Sequence, residues 1–392
     1  MIPRAEDAPA AKKKGRPKKE DDAEPEPENQ TRLEKLMAGE LIASIVKTHG
    51  KSIITKASEA KITSCHRIPT GIFELDYALG GGFPAGRVNI AWGMKSSGKT
   101  TMLTRALGQS QKMCANCYGF LNPESGKCGC KRFREHVCGF LDVEGTWDNE
   151  WAALQGVDVT KLLLSTPEYA EQTLDIAEAL IRSTEVDLLV IDSIAFLTPS
   201  KEIEESSAKA LQAEQARALG RGFRKFVSAI NFVGNKTGRR PTMLFTNQVR
   251  HKIGLLFGNP ETQPGGFAPG FAATTETKCW SGKYEMDETT GKPISVELNF
   301  RIEKNKSSGA KMEGKYSLML SDTPQKKKGQ IYDEPDIVEL ALKLGMIEKV
   351  SNQQWTMLGE SYRGKSLIVQ KMCDDPTFKL GVTNSLLTVL VA

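Results

Sequence analysis

The sequence predicts an α/β fold, a doubly wound and mostly parallel sheet with an antiparallel extension and a small α+β C-terminal unit. Three observations predict it. Val88 to Trp92 is a short apolar run suited to a buried parallel strand, and a glycine-containing turn and a helical pattern follow it. Asp187-Leu188-Leu189-Val190-Ile191-Asp192 is a second buried strand ending in an acid. Between and beyond these runs, helical and strand periods alternate as βαβ units require.

Residues 1–30 are rich in Pro, Ala, Lys and Glu, with almost nothing apolar to seed a core, and are expected to be a disordered tail. Within it Lys12-Lys13-Lys14-Gly15-Arg16-Pro17-Lys18-Lys19 precedes an acidic stretch from Glu20 to Glu28. The Gly-Arg-Pro core resembles an AT-hook, which would set Arg16 in a narrow A·T minor groove; a solvated charge run is the equal alternative. Residues 31–66 carry a helix, with Leu33, Leu36, Met37, Leu41, Ile42, Ile45 and Val46 at helical spacing, and a short strand at 52–55. This pair could pack back on the core or dock on a neighbouring subunit.

The core is expected over 67–330. After the Val88 strand come a helix to about Gln111, a strand at His136 to Asp142, another at Leu162 to Leu164 and a helix from Tyr169 to Ser183. The Asp187 strand, a helix over about Ala208 to Phe232 and a strand at Thr242 to Asn247 continue it. A Gly- and Pro-rich loop at 248–272 then leads to strands near Thr274 to Cys279, Ser295 to Ile302 and Lys315 to Leu320. Residues 331–392 form the C-terminal unit, with a final helix near Asn384 to Val391.

The 392 residues are 39% hydrophobic and 26% charged with a formal net charge of +5, the composition of a globular chain. Mild total charge alone does not require a nucleic-acid partner; local basic clusters matter more. No apolar run reaches the roughly 20 residues of a membrane span, and the N-terminus has no signal-type apolar segment. A cytoplasmic or nucleoid location in a bacterium or a phage-infected host, with no membrane partner, is therefore expected.

Gly93, Gly98, Lys99 and Thr100 fill the G-x-x-x-x-G-K-[ST] pattern between a strand and a helix, with Ser96, Ser97 and Thr101 completing the turn. Glycines let backbone N–H groups turn inward around phosphates, and the following helix presents its positive end. Lys99 would reach the β- and γ-phosphates, and the Thr100 hydroxyl would hold Mg²⁺. Asp192 would orient the metal's water shell. Asp142 and Glu144 end another strand at the ligand crevice, where Glu144 could act as general base or as a helix-start carboxylate. Gln248 ends a third, placed to sense a γ-phosphate.

Cys114-x-x-Cys117 and Cys128-x-Cys130 lie in a turn-rich, basic segment between the loop helix and the next strand. Four thiolates in two close pairs suit a structural Zn²⁺, with free surface thiols the alternative.

Together these segments resemble the RecA recombinases. Gly93 to Thr101 looks like that family's phosphate loop, Asp142-Val143-Glu144 its catalytic glutamate segment, and Leu188 to Ser193 its Walker B strand. The most specific match is Asn247-Gln248-Val249-Arg250-His251-Lys252-Ile253-Gly254, running on to Phe257-Gly258-Asn259-Pro260-Glu261-Thr262 and Gly265-Gly266, which resembles the second DNA-binding loop.

The resemblance implies a RecA-type P-loop ATPase core with an N-terminal oligomerisation arm, using ATP and Mg²⁺. It implies Glu144 as base, Gln248 as the switch between γ-phosphate and DNA, and Trp151 as the aromatic on adenine. Lys304 and Lys306 would reach ATP across a subunit interface. The first DNA loop corresponds to 200–213 and the second to 248–272. Arg217 and Arg224 would meet DNA phosphates, joined by Arg250, Lys252 and Phe257.

Implied partners are single- and double-stranded DNA, further copies of the chain in a helical filament, and mediator and single-strand-binding proteins. The implied activity is homologous pairing and strand exchange in DNA repair. The insertion at 114–130 departs from the family's short connection. A hexameric motor of related fold and a nucleic-acid scaffold with vestigial ATPase are the rival readings.

Overall fold

The computed structural model describes residues 36–37, 39–50, 54, 65–122, 124–204, 212–251, 261–307 and 312–391. Arg16, most of the expected strand at 52–55, the 205–211 part of the first DNA loop, Lys252 and Phe257 lie outside them. The chain divides into two units, residues 1–59 and 60–392.

In the first unit, Leu36 and Met37 are helical and helix α1 spans Glu40–His49, while 33–35 of the expected helix lie outside the described residues. Gly39, in extended backbone, is the N-cap of α1 and separates it from the helical residues before it. Gly50 closes the helix, its N–H bonded to Val46 O at 2.8 Å.

The second unit opens with β1 (Arg67–Ile68), α2 (Phe73–Leu79) and β2 (Phe83–Pro84). Next come β3 (Val88–Gly93), α3 (Lys99–Ser110), β4 (Cys138–Asp142), α4 (Asn149–Leu154), β5 (Leu162–Ser165) and α5 (Ala170–Arg182). β6 (Leu188–Asp192), α6 (Ser200–Glu204), α7 (Gln212–Thr237) and β7 (Thr242–Gln248) complete the alternation. β8 (Arg250–His251) and β9 (Glu261–Thr262) pair with each other, and α8 (Ala268–Ala272) leads to β10 (Thr275–Met286), β11 (Pro293–Asn305), β12 (Glu313–Met319) and β13 (Ile331–Tyr332).

Among the described residues nine strands form one sheet in the order β13-β12-β11-β10-β3-β7-β6-β4-β5. From β10 to β5 it is parallel; β11, β12 and β13 extend it antiparallel. Both faces are covered, which is why the strands read as continuous apolar runs rather than alternating ones. Leu188, Val190, Leu244, Phe140 and Met102 pack on one face, and Leu189, Ile191, Phe245, Phe223 and Phe226 on the other. Each buried side chain of this size contributes about 1.5–3 kcal/mol.

Parallel pairing brings the strand ends that matter to one edge. Gly93 is opposite Gln248, and Asp142 is opposite Asp192. The β4 strand begins at Cys138 and not at His136: the Val137 N–H donates to the Asp187 carboxylate at 3.0 Å rather than to a neighbouring strand.

The C-terminal elements are α9 (Glu334–Lys343), β14 (Ile347–Lys349), β15 (Trp355–Met357), β16 (Glu360–Tyr362), α10 (Lys365–Asp374) and α11 (Pro376–Val391). The last helix starts well before the expected Asn384. Pro376 suits its first position, and Asp375 Oδ1 caps it by accepting the N–H groups of Thr377 and Phe378 at 3.0 Å each. No helix among the described residues is long and apolar enough to cross a membrane.

Candidate active site

The turn after β3 is shaped by two glycines. A Cβ on Gly93 would stand 2.0 Å from Cys279 O on the neighbouring β10, so only glycine lets the strands approach there. Gly98 caps α3 with φ +79°, and a Cβ on it would meet Leu298 Cδ1 at 2.6 Å. The first N–H groups of α3 have no acceptor within the helix and carry its positive dipole end. Lys99 Nζ donates to Met94 O at 2.7 Å and lies 3.4 Å from Ser97 Oγ. Burial pulls the Lys99 pKa down, opposed by Cys279, Asp192 and Glu144.

Three acids end strands here, and the structure separates their tasks. Asp192 is 3% exposed, which pushes its pKa up. Its Oδ2 accepts the Thr100 hydroxyl at 2.6 Å, and its Oδ1 accepts the Thr246 hydroxyl; both bonds favour the carboxylate. Asp142 is committed to a turn, accepting the N–H groups of Thr146 at 3.2 Å and Trp147 at 2.9 Å. Glu144 faces the crevice, with Oε1 accepting from Ser193 Oγ at 2.6 Å and Gln248 Nε2 at 3.4 Å. The N–H groups of Val143 and Glu144 both donate to Asp192 O, at 2.8 and 3.2 Å, tying two strand ends together.

Sequence reasoning missed Ser193 and Thr246. A signal existed for each: Ser193 follows the strand-end acid, and Thr246 precedes Gln248 by two, hence on the same face.

Asp148 caps α4, its Oδ1 accepting the N–H groups of Glu150 at 2.8 Å and Trp151 at 3.1 Å. That orientation sends the half-buried Trp151 indole to the first turn of α3, where Nε1 donates to Thr101 Oγ1 at 3.3 Å. Lys99, Thr100, Thr101, Glu144, Asp192 and Gln248 therefore converge in one crevice, with Trp151 at its rim.

Lys304 and Lys306 stand elsewhere. Lys304 pairs with Glu276 across β10–β11, and Glu276 pairs in turn with Ile90, three residues before the phosphate loop begins. Lys304 Nζ donates to Gly270 O and lies 3.8 Å from Glu276 Oε1; Lys306 Nζ reaches Phe271 O at 3.5 Å.

Arg217 and Arg224 are exposed on α7, with Arg217 paired to Glu214 at 2.9 Å. Arg221, exposed between them, was missed although it shares their helical face. Arg250 is exposed on β8, paired with Thr262 on β9.

Cys114, Cys117, Cys128 and Cys130 place all four sulfurs within 4.8 Å of one another. Cys114 and Cys130 are 3.6 Å apart and Cys128 and Cys130 3.1 Å, and Gly119 N donates to Cys117 Sγ at 3.4 Å. Bridges pairing Met113 with Phe120 and Cys114 with Glu135 fasten the insertion to its own base.

A family model for the RecA N-terminal domain matches residues 37–126 and 128–323. Protein RecA of Bacteroides thetaiotaomicron is 34% identical over 337 residues, 85% of this chain and 90% of the relative. Protein RecA of Cytophaga hutchinsonii is 34% identical over 360 residues, covering 90% and 89%, and that of Aquifex pyrophilus 33% over 336, covering 85% of each.

Proposed function

This chain belongs to the RecA family, and from that premise we propose that it is a DNA-dependent ATPase. On this reading it assembles on single-stranded DNA as an ATP-bound filament and pairs that strand with homologous duplex. The observation that carries the reading is Gln248: it lies 3.4 Å from the Glu144 carboxylate and is the last residue of β7 before the second loop. One side chain thus touches the candidate base and begins the candidate DNA-binding segment.

The residues fit the nucleotide. The first N–H groups of α3 supply a positive helix end, Lys99 supplies a cation, and Trp151 supplies a ring face. Thr100 and Asp192 would hold a Mg²⁺ ion, which when bound neutralises phosphate charge. Glu144 takes the proton of the attacking water, with Ser193 orienting its carboxylate. Gln248 exchanges Glu144 for a γ-phosphate and thereby reports its presence to residues 249–272.

Lys304 and Lys306 act on the ATP of the neighbouring subunit, since the sheet carries them away from their own phosphate loop. Arg217, Arg221, Arg224 and Arg250 meet DNA phosphates, joined by Lys252, Phe257 and the tail residue Arg16. Such contacts bind without sequence preference and weaken steeply with salt. Residues 31–66 join protomer to protomer, mediator and single-strand-binding proteins are its partners, and its place is the bacterial or phage-infected cytoplasm at the nucleoid.

The four cysteines hold a structural Zn²⁺. Tetrahedral Zn–S bonds of about 2.3 Å require sulfurs roughly 3.8 Å apart, a spacing that this cluster accommodates.

Electron microscopy with single-stranded DNA, run beside a strand-exchange assay, tests the whole reading. Helical filaments and strand exchange are expected with ATP and not without it. Closed hexameric rings alone, with no exchange, would show a motor instead.

A further inference from the structure

A set of polar side chains links the nucleotide crevice to the lysine edge. Asn247 is fully buried beside Gln248, and its Oδ1 accepts the Gln248 backbone N–H at 3.0 Å. Asn247 Nδ2 donates to Gln263 Oε1 at 3.1 Å and to Pro264 O at 3.2 Å. Gln263 Nε2 donates to Glu276 Oε2 at 3.1 Å, while Glu276 Oε1 stands 3.8 Å from Lys304 Nζ. The contacts therefore run without a break from Glu144 through Gln248, Asn247, Gln263 and Glu276 to Lys304.

These groups are buried or half-buried, where each hydrogen bond is electrostatically stronger than in water and a lost partner is costly. Burial also raises the Glu276 pKa and lowers that of Lys304, so each ion depends on the other. Among the described residues, neither Gln263 nor Glu276 forms a hydrogen bond or ion pair with residues 93–101 or with Glu144. Their amide and carboxylate satisfy one another in a line pointing at Lys304.

We propose that Gln263 and Glu276 are positioning residues that couple the nucleotide state of one subunit to the lysine it lends to the next. This rests on the reading of Lys304 as a cation for the neighbour's ATP. In the arrangement seen, Gln263 anchors Glu276, and Glu276 with Gly270 O keeps Lys304 drawn back on its own chain. When Gln248 leaves Glu144 for a γ-phosphate, Asn247 and Gln263 are drawn with it. Glu276 loses its anchor, and Lys304 is released toward the adjoining site. Coupling between the sites requires a second arrangement of this element, in which Lys304 has left Glu276 and Gly270 O.

The test is the ATP dependence of single-strand-DNA-stimulated turnover by the full-length protein. A Hill coefficient above 1 is expected for the wild type. Gln263→Glu, which sets two carboxylates against each other, and Glu276→Gln, whose amide can accept from Gln263 only by turning its NH2 group toward Lys304, should each bring it toward 1. The double variant Gln263→Glu/Glu276→Gln restores a donor–acceptor pair at that link and should recover the cooperativity, which a purely structural role does not predict.

Single variants with the wild-type coefficient, a non-cooperative wild type, or a double variant as impaired as the singles would each overturn the relay. Lys304→Ala separates the two layers. It should cost about 10²-fold or more in turnover. If it turns over like the wild type, the reading of Lys304 fails and the relay with it; if it is inactive while the single variants keep their cooperativity, the relay alone fails.

Discussion

The two ends of helix α3 use the same kinds of side chain for opposite purposes. At the first turn, Lys99, Thr100 and Thr101 hold a carbonyl, a carboxylate and an indole N–H through contacts that a ligand could replace one by one. At the last turn, Ser110 bonds His136, whose ring meets Tyr118 edge-on at 5.2 Å, and Tyr118 stacks on His66 at 4.5 Å. Just beyond, Asp187 accepts from Arg134 at 2.8 Å, Arg239 at 2.7 Å and the Val137 N–H at 3.0 Å. The difference shows where rearrangement is tolerated. The near end is held by partners that a ligand could exchange, whereas the far end is held by a buried ring and a buried carboxylate.

The largest expected effects test the near end. Lys99→Ala should lower DNA-stimulated ATP turnover by about 10²–10³-fold, and Glu144→Gln by about 10²–10⁴-fold. Neither should shift stability by more than about 0.5 kcal/mol, because neither side chain is a packing element. Steady-state turnover beside thermal melts checks both. A variant that loses turnover only because it unfolds would erase the contrast between the two ends.

That near end was largely legible in the sequence because its chemistry demands particular residue types at fixed spacing. Gly93, Gly98, Lys99 and Thr100 have no freedom to drift, and an acid after an apolar strand lands at the crevice whatever the loops do. Spacing could not separate Asp142 from Glu144. Only the turn that brings the Thr146 and Trp147 N–H groups onto Asp142 shows which acid is committed. The relay through Gln263 and Glu276 was hidden for a related reason. Its members are 13 residues apart in one case and 16 in another, and no periodicity joins them. A helix end was misjudged where local chemistry overrode the pattern: Asp375 with Pro376 began α11 early.

The far end should respond in stability before it responds in chemistry. The double variant Cys128→Ser/Cys130→Ser should lose bound zinc, read as about one metal per chain in the wild type by elemental analysis. It should also melt lower by roughly 5–10 °C, the equivalent of a few kcal/mol. Turnover per folded molecule well below the new midpoint should stay near wild type. A wild-type protein without bound zinc would remove the metal from the site, and equal loss of turnover and stability would mean that the two ends of α3 are not independent.

The smallest expected effect is a pH dependence seated at His136. Its Nδ1 lies 2.8 Å from Ser110 Oγ and 3.0 Å from Ser110 O, while the buried Nε2 has no hydrogen-bond partner among the described residues. A second proton would have to sit there. Burial accordingly holds the His136 pKa below its ordinary value, with Asp187 opposing and Arg134 and Arg239 reinforcing the shift. The unfolded chain therefore takes up the proton first as pH falls, near 6.5. The stability that neutral His136 lends is present in full above that value and is lost as pH falls through it toward the folded pKa. His136→Phe keeps a ring against Tyr118 and gives up the bond to Ser110, so it should cost about 1 kcal/mol at pH 8. It should also flatten the decline in stability between pH 7 and pH 5, measured by denaturant unfolding at each pH. An unchanged slope would assign the acid sensitivity to another group, and the lock at the far end of α3 would then rest on Asp187 and its two arginines rather than on a neutral imidazole.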